Sequence, residues 1–265
     1  MRRRPVSKKV SVITTTFQDL GHLKEVVDGI KKQDYDNIEY IIIDGGSKDG
    51  TVEFLKELQQ EFAGYPGREM KWISEPDHGI YDAINKGIRM ATGDIIGFMF
   101  DRFASEDVLK RMISVMEEEH SDGVHGDLEY VDEAGKSVRH WVMGNQKTIR
   151  DGWMPAHPTL YLRKEVYEKY GLYKTDYRIA ADYEFMVRIL QDESIKLSYI
   201  HDVLVYMFYG GTSSGGLRNY LHSFMESERA LRENHVPHAF IICSKRTIRV
   251  LIQFVKAALG SKGET

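Results

Sequence analysis

The stretch Ile38-Glu-Tyr-Ile-Ile-Ile-Asp44-Gly-Gly-Ser-Lys-Asp-Gly-Thr51 decides the fold. Ile38 to Ile43 is a short run, apolar but for Glu39 and rich in β-branched residues, which predicts a strand. It stops at an acid followed by two glycines, a serine and Asp-Gly, a combination that turns the chain sharply. Thr51 to Phe62 then has helical spacing. The same succession recurs on both sides. Val10-Ser-Val-Ile-Thr-Thr15 reads as a buried first strand. Leu20 to Gln33 reads as a helix with Leu23, Val26, Val27 and Ile30 on one face. Met70 to Ser74 and Ile80 to Met90 repeat the strand and helix, and Asp94 to Phe100 is a fourth strand. Such alternation predicts an α/β domain with a mostly parallel sheet and helices on both faces. Ligands of such sheets bind beyond the carboxyl ends of the strands. The segments to search are therefore Thr14–Gln18, Asp44–Ser47, Glu75–Gly79 and the vicinity of Asp101.

The second half is less regular. Gly123 to Val131 and Ser137 to Val142 are expected to pair as a hairpin around Asp132-Glu-Ala-Gly135. Lys164 to Tyr170 and Asp182 to Leu190 have helical character, and Ile195 to Phe208 is expected to hold two short strands. Gly210-Gly-Thr-Ser-Ser-Gly-Gly216 reads as a loop, and two helical stretches flank Pro237. The expected organisation is an α/β domain over 1–215 and a helical C-terminal extension over 216–265.

Composition narrows the function classes. The 265 residues carry 42% hydrophobic and 29% charged side chains, with a net charge of −4. That suits a folded α/β domain with an appendage and argues against a general nucleic-acid binder. The single cysteine, Cys243, rules out an internal disulfide and fits a reducing compartment, hence a cytoplasmic location. The basic start, Met1-Arg-Arg-Arg-Pro5, runs into Ser7-Lys8-Lys9 rather than an apolar run, so no signal peptide is expected. No stretch is apolar for long enough to span a bilayer. A dinucleotide-binding dehydrogenase would need its glycine fingerprint in the first strand–helix turn. That turn is Thr14-Thr-Thr-Phe-Gln-Asp19, without glycine, and no P-loop is present.

Taken in order, Val10-Ser-Val-Ile-Thr-Thr-Thr-Phe17, Ile43-Asp-Gly-Gly-Ser-Lys-Asp-Gly-Thr51, Ser74-Glu-Pro-Asp-His-Gly-Ile-Tyr-Asp-Ala-Ile-Asn-Lys-Gly87 and Thr92-Gly-Asp-Ile-Ile-Gly97 resemble family-2 glycosyltransferases. The likeness resumes at His157-Pro158 and Ala181-Asp-Tyr-Glu-Phe185. Each motif alone is weak, whereas their order and spacing are specific. The resemblance implies a GT-A fold, a nucleotide-sugar donor of the UDP-sugar class, inversion at the anomeric carbon, and hexosyl or N-acetylhexosaminyl transfer. The acceptor would be a glycan or a lipid-linked sugar in polysaccharide biosynthesis.

The same resemblance assigns the donor side to Thr15, Asp44, Gly45, Asp77 and Asp101. Relatives often carry a second acid where Gly45 stands. Asp44 equally fits a tight turn in which it caps the next helix, and Asp82 and Lys86 fit a solvated helix face. In Phe98-Met-Phe-Asp-Arg-Phe103 only Asp101 remains of the family's acidic metal motif, and the segment is about two residues short of that pattern. Asp101 would still suit Mg²⁺ or Mn²⁺, which need only one or two protein carboxylates beside phosphates and water. Arg102 is the other candidate for the diphosphate charge. The alternative is a catalytically impaired nucleotide- or glycan-binding module with a damaged metal motif.

Asp182 matches the family's catalytic carboxylate and would take the proton of the attacking hydroxyl. It also fits the N-cap of the helix that follows. Glu184 and His157 are weaker candidates for acceptor or phosphate contact. Trp153, Tyr161 and Tyr177 offer faces for sugar stacking, but core packing suits each better. Ile241 to Leu259 has apolar residues at 241, 248, 251, 252, 255 and 259, interrupted by Lys245, Arg246, Arg249 and Lys256. The segment 238–259 therefore suits peripheral contact with the inner face of an anionic membrane. Packing against the catalytic domain, or against a second subunit in a homo-oligomer, suits it slightly better.

Overall fold

The computed structural model describes residues 7–132, 134–208 and 216–260. The elements in the first half are β1 (Val10–Thr16), α1 (Leu20–Lys31), β2 (Ile38–Asp44), α2 (Thr51–Phe62), β3 (Arg68–Ser74), α3 (Ile80–Met90) and β4 (Ile95–Phe98). A two-residue β5 (Arg102–Phe103) and α4 (Val108–Glu119) complete it. The second half comprises β6 (Gly123–Val131), β7 (Ser137–Trp141), β8 (Tyr161–Arg163), α5 (Lys164–Tyr170), α6 (Ala181–Leu190), β9 (Leu197–Phe208), α7 (Gly216–Glu233) and α8 (Ala239–Gly260).

One mixed sheet runs in the order β3-β2-β1-β4-β8-β6-β9-β5, with β7 paired to β6. The pairings β3–β2–β1–β4 and β6–β9 are parallel, while the short β8 and β5 enter antiparallel. Each parallel return needs a crossover, which α1, α2 and α3 supply. The strands β1, β2 and β4 are buried on both faces, as their largely apolar, β-branched runs suggest. Val10, Val12, Ile38, Tyr40 and Ile42 pack under α1 and α2, while Ile13, Ile41, Ile43, Ile96 and Phe98 pack under α3 and α6.

Three features depart from the sequence reading. Ile195–Phe208 holds a single long strand, β9, not two short ones; its register against β6 shifts between Gly126 and Asp127. That irregularity bends the strand without ending it. The helix α4 was not foreseen, although Val108, Leu109, Met112, Ile113 and Met116 are all buried at helical spacing. The hairpin β6–β7 forms, and the Gly210–Gly216 loop lies outside the described residues except for Gly216. The inner faces of α7 and α8, through Ala230, Leu231, Val236, Ala239, Ile242 and Cys243, share one core with Tyr183 and Phe185 of α6.

A buried carboxylate ties the amino-terminal edge of the sheet. Glu39 is fully buried and accepts hydrogen bonds from Lys71, Ser11, and the amide and hydroxyl of Thr92. Burial alone would raise its pKa; the bonds from Lys71, Ser11 and Thr92 outweigh it and hold the group at about 2. A depressed pKa adds stability above the ordinary carboxylate value, and that stability is lost as pH falls towards 2. Glu39→Gln is expected to cost about 1–3 kcal/mol at neutral pH, because one of the two oxygens, each of which accepts from two donors, is replaced by an amide that cannot accept. Chemical denaturation should show this difference at pH 7 and a smaller one near pH 3.

Candidate active site

The carboxyl ends of β1, β2 and β3 are bound together by Asp44. Its side chain is 0% exposed. It accepts from the Ser47 amide at 3.0 Å, from the Ser47 hydroxyl, and from the Ser74 hydroxyl at 2.6 Å. The Ser47 hydroxyl accepts in turn from the Gln18 amide at 2.7 Å. Gln18 has φ of 53°, an unusual region for a residue with a side chain. Asp44 thus braces three loops, and its carboxylate shapes the edge from below. The following helix α2 has no side-chain cap from it; Gly50 precedes that helix.

Above Asp44, Gly45 leaves room for two neighbours. A Cβ at position 45 would lie 3.1 Å from Asp77 Oδ2 and 3.1 Å from Phe17 Cδ2. A second acid at this position would crowd its carboxylate against Asp77. Phe17 is 63% exposed at the end of β1, beside Thr15 and Thr16, which are half-buried. Asp77 is held by Lys86 Nζ at 2.6 Å, and the same ammonium reaches Glu75 at 3.0 Å and the Pro76 carbonyl. Lys86 is therefore a clamp on the β3–α3 loop, not part of a merely solvated face. Asp82, in the first turn of α3, ties back to that loop by accepting from the His78 amide at 3.1 Å.

Asp101 follows β4. Its Oδ2 accepts from the Phe208 amide at the end of β9; among the described residues its other oxygen accepts no hydrogen bond. Burial raises its pKa, against the Phe208 amide and the nearby His22 and Arg102. His22, in the first turn of α1, bonds the Phe100 carbonyl at 2.7 Å. Arg102 is exposed with its guanidinium over the Tyr206 ring. No group of three His, Cys, Asp or Glu side chains among the described residues forms a ready metal site.

Asp182 is the second residue of α6. Ala180 occupies the N-cap position, so the capping role expected of Asp182 is absent. Its Oδ1 accepts from the Tyr81 hydroxyl at 3.1 Å, and that hydroxyl also reaches the Ile179 carbonyl at 2.6 Å. The preceding amides of Arg178, Ile179 and Ala180 all donate to the Glu226 carboxylate from α7, at 2.8, 2.8 and 2.9 Å. His157 bonds the Tyr173 hydroxyl at 2.9 Å and packs on Phe98 and Phe100. Burial lowers its pKa against the opposing pull of the Asp182 charge, so it is neutral at pH 7. An aromatic row from Phe98 and Phe100 through His157 and Tyr173 to Tyr81 thus connects the end of β4 to Asp182.

Glu184 departs most from expectation. It is 0% exposed and meets Arg188, Lys174 and Asn234, at 2.9, 3.0 and 3.1 Å. It ties α6 to α7 and has no surface for acceptor or phosphate. Trp153, Tyr161 and Tyr177 are buried core side chains, as expected. Glu226, Tyr81 and Tyr173 were not anticipated. Their roles come from contacts across distant parts of the chain, and no local pattern marks them.

The model of glycosyl transferase family 2 matches residues 11–171. An uncharacterized glycosyltransferase of Mycobacterium tuberculosis is 33% identical over 197 residues, covering 68% of each chain. A PGL/p-HBAD biosynthesis glycosyltransferase of Mycobacterium bovis is 28% identical over 208 residues, covering 77% of this chain and 78% of the relative. In shape, the chain resembles Staphylococcus aureus TarS 1–349 in complex with UDP-GlcNAc, with TM-score 0.65 and 17% identity over 90% of this chain and 71% of that one. It spans 39% of another TarS structure. It also resembles the Pyrobaculum calidifontis mannosyltransferase PcManGT in complex with GDP-Man and Mn²⁺, with TM-score 0.61 and 16% identity over 97% and 76% of the two chains.

Proposed function

Because the chain belongs to glycosyl transferase family 2, we propose that it is an inverting enzyme that moves a hexosyl or N-acetylhexosaminyl group from a nucleotide-diphosphate sugar to a glycan or lipid-linked acceptor. The observation that supports this reading is that Asp182, from the second half of the chain, accepts from Tyr81 of α3, the helix that follows the Asp77 loop, at the end of a row of rings that begins at Phe98 and Phe100, next to Asp101. The aromatic row described above connects the two sides. The acceptor hydroxyl oxygen attacks the anomeric carbon, and the bond to the leaving phosphate oxygen breaks with its electron pair. The hydroxyl proton goes to Asp182, which Tyr81 holds in place. His157 and the rings of Phe98 and Tyr173 pack behind Tyr81, the side chain that orients this carboxylate.

On the donor side, the edge of Thr15, Phe17, Gly45 and Asp77 offers an exposed ring and a carboxylate to the nucleoside, with Asp44 fixing the loops beneath. UDP-sugar is the proposed class; the complexes of the structural neighbours, with UDP-GlcNAc and with GDP-Man, support a nucleotide sugar in general. The name of the mycobacterial relative, a PGL/p-HBAD biosynthesis glycosyltransferase, supports a biosynthetic role. Asp101 fits a Mg²⁺ or Mn²⁺ ion whose other ligands are phosphate and water. Such an ion would neutralise charge on the leaving diphosphate. Arg102 contributes less in this reading, since its guanidinium lies over Tyr206. Action at the cytoplasmic face of the membrane is part of the same proposal.

Release of nucleoside diphosphate from a panel of UDP-, GDP- and dTDP-sugars, with Mn²⁺ or with EDTA, tests this reading. One nucleotide class should be turned over, and EDTA or Asp101→Ala should slow the reaction more than tenfold, roughly the loss of one charge-stabilising contact. Turnover unaffected by EDTA would remove the metal from the account. Binding without turnover of any donor would favour the impaired-module reading suggested by the shortened acidic segment.

A further inference from the structure

The carboxy-terminal helices present an apolar face that the fold does not cover. On α8, Phe240, Ile241, Ile248 and Ile252 are 61, 53, 55 and 50% exposed. Ile241, Lys245, Ile248 and Ile252 follow one another along a single side of the helix. On α7, Leu221 and Met225 are 54 and 64% exposed one turn apart. Phe224 meets Phe240 edge-on at 5.8 Å and joins the two stripes. The opposite side of α8 is the docked one. Ile242 and Cys243 are buried, Arg246 bonds Ser227 and covers Tyr183, and Arg249 reaches the carbonyls of Asp151 and Gly152.

We propose that this face lies on an anionic phospholipid surface. Charge decides the occupant. The segment 239–260 has no Asp or Glu, in a chain whose net charge is −4, and on its exposed side Lys245 is the charge among the described side chains, Arg246 and Arg249 being turned to the docked side. Lys245 is exposed in the middle of the apolar stripe, between Ile241 and Ile248. In a two-fold pairing of this face with a second copy, two such lysines would be brought towards one another with no acid on the helix to pair them. On a bilayer, the same side chain extends to the phosphates while its neighbours enter the acyl boundary. A groove at the start of α8, lined by Arg232, His238, Phe240 and Ile241, continues this face. Arg232 pairs there with Glu228 at 2.7 Å. No helix among the described residues is long and apolar enough to cross a membrane, so the contact is interfacial.

This inference does not depend on the donor chemistry, and vesicle binding can be measured separately from nucleotide release. The full chain should co-sediment with phosphatidylglycerol-rich vesicles, bind pure phosphatidylcholine vesicles weakly, and be released by raised salt. Ile248→Glu and Lys245→Glu replace exposed side chains outside the active site. Each should weaken vesicle binding by about tenfold or more while nucleotide release in detergent-free buffer stays at the wild-type level. Absence of vesicle binding by the wild type would overturn the proposal. So would equal binding to neutral and anionic vesicles, or a dimer in solution that Ile248→Glu dissociates.

Discussion

Asp182→Asn is expected to fold and bind donor nucleotide like the unchanged chain, yet to transfer sugar about a hundredfold to ten-thousandfold more slowly, the usual loss when a positioned base is removed. The substitution keeps the shape and the contact with Tyr81 but discards the basic oxygen. It should not disturb α6, because position 182 lies inside the helix and the N-cap is Ala180. Helix stability would change only by the small interaction of one acid with the helix amino terminus. Measuring kcat together with thermal stability and nucleotide affinity distinguishes these effects. Normal kcat would assign the proton to another group. Glu184→Gln makes an informative contrast. Its carboxylate is buried among Lys174, Arg188 and Asn234, so the loss should appear as lower thermal stability and not as a selective loss of turnover.

Glu226→Ala is expected to lower kcat by roughly a hundredfold while leaving the affinity for nucleotide within a few-fold of its starting value, since small misplacements of catalytic groups cost that much. Among the described residues, Glu226 directs its hydrogen bonds to the 178–180 backbone and not to Asp182 or Tyr81. It acts by holding the amides of Arg178, Ile179 and Ala180, and Ile179 in turn accepts from Tyr81, which orients Asp182. Removing the carboxylate frees three backbone donors and lets this segment shift. Glu226→Gln retains one acceptor oxygen and should recover part of kcat. A purely structural role would lower thermal stability in both variants without separating kcat from KM.

The half of the chain that builds the parallel sheet was the more legible in sequence. Ile38–Ile43 and Val10–Thr15 are mostly apolar and rich in β-branched residues because helices cover both of their faces; the polar Ser11, Thr14 and Glu39 among them are buried and hydrogen-bonded, and β2 ends at Asp44 and two glycines that turn the chain. The turns beyond those ends therefore marked the edge that holds Asp44, Asp77 and Asp101. Single-residue roles were less legible. Asp44 sits at the expected place, but the contacts of Ser47 and Ser74 that enclose it depend on β3 lying beside β2. Glu184 resembled a site residue because it shares a helix turn with Asp182; the helical period sends it to the opposite side, into the α7 contact. The link from Glu226 to Asp182 spans α6 and α7, and spacing along the chain carries no trace of it. The strand β9 read as two pieces because the pattern breaks where its register shifts against β6.

The central claim is that a nucleoside diphosphate binds at the carboxyl ends of β1, β2 and β3. Hydrogen exchange followed by mass spectrometry, with and without UDP and Mn²⁺, tests it most directly. The account predicts slower exchange in the segments 14–19, 44–50 and 75–80, with little change in β6 and β7. No protection with UDP, GDP or dTDP, or protection confined to the β6–β7 hairpin, would contradict it.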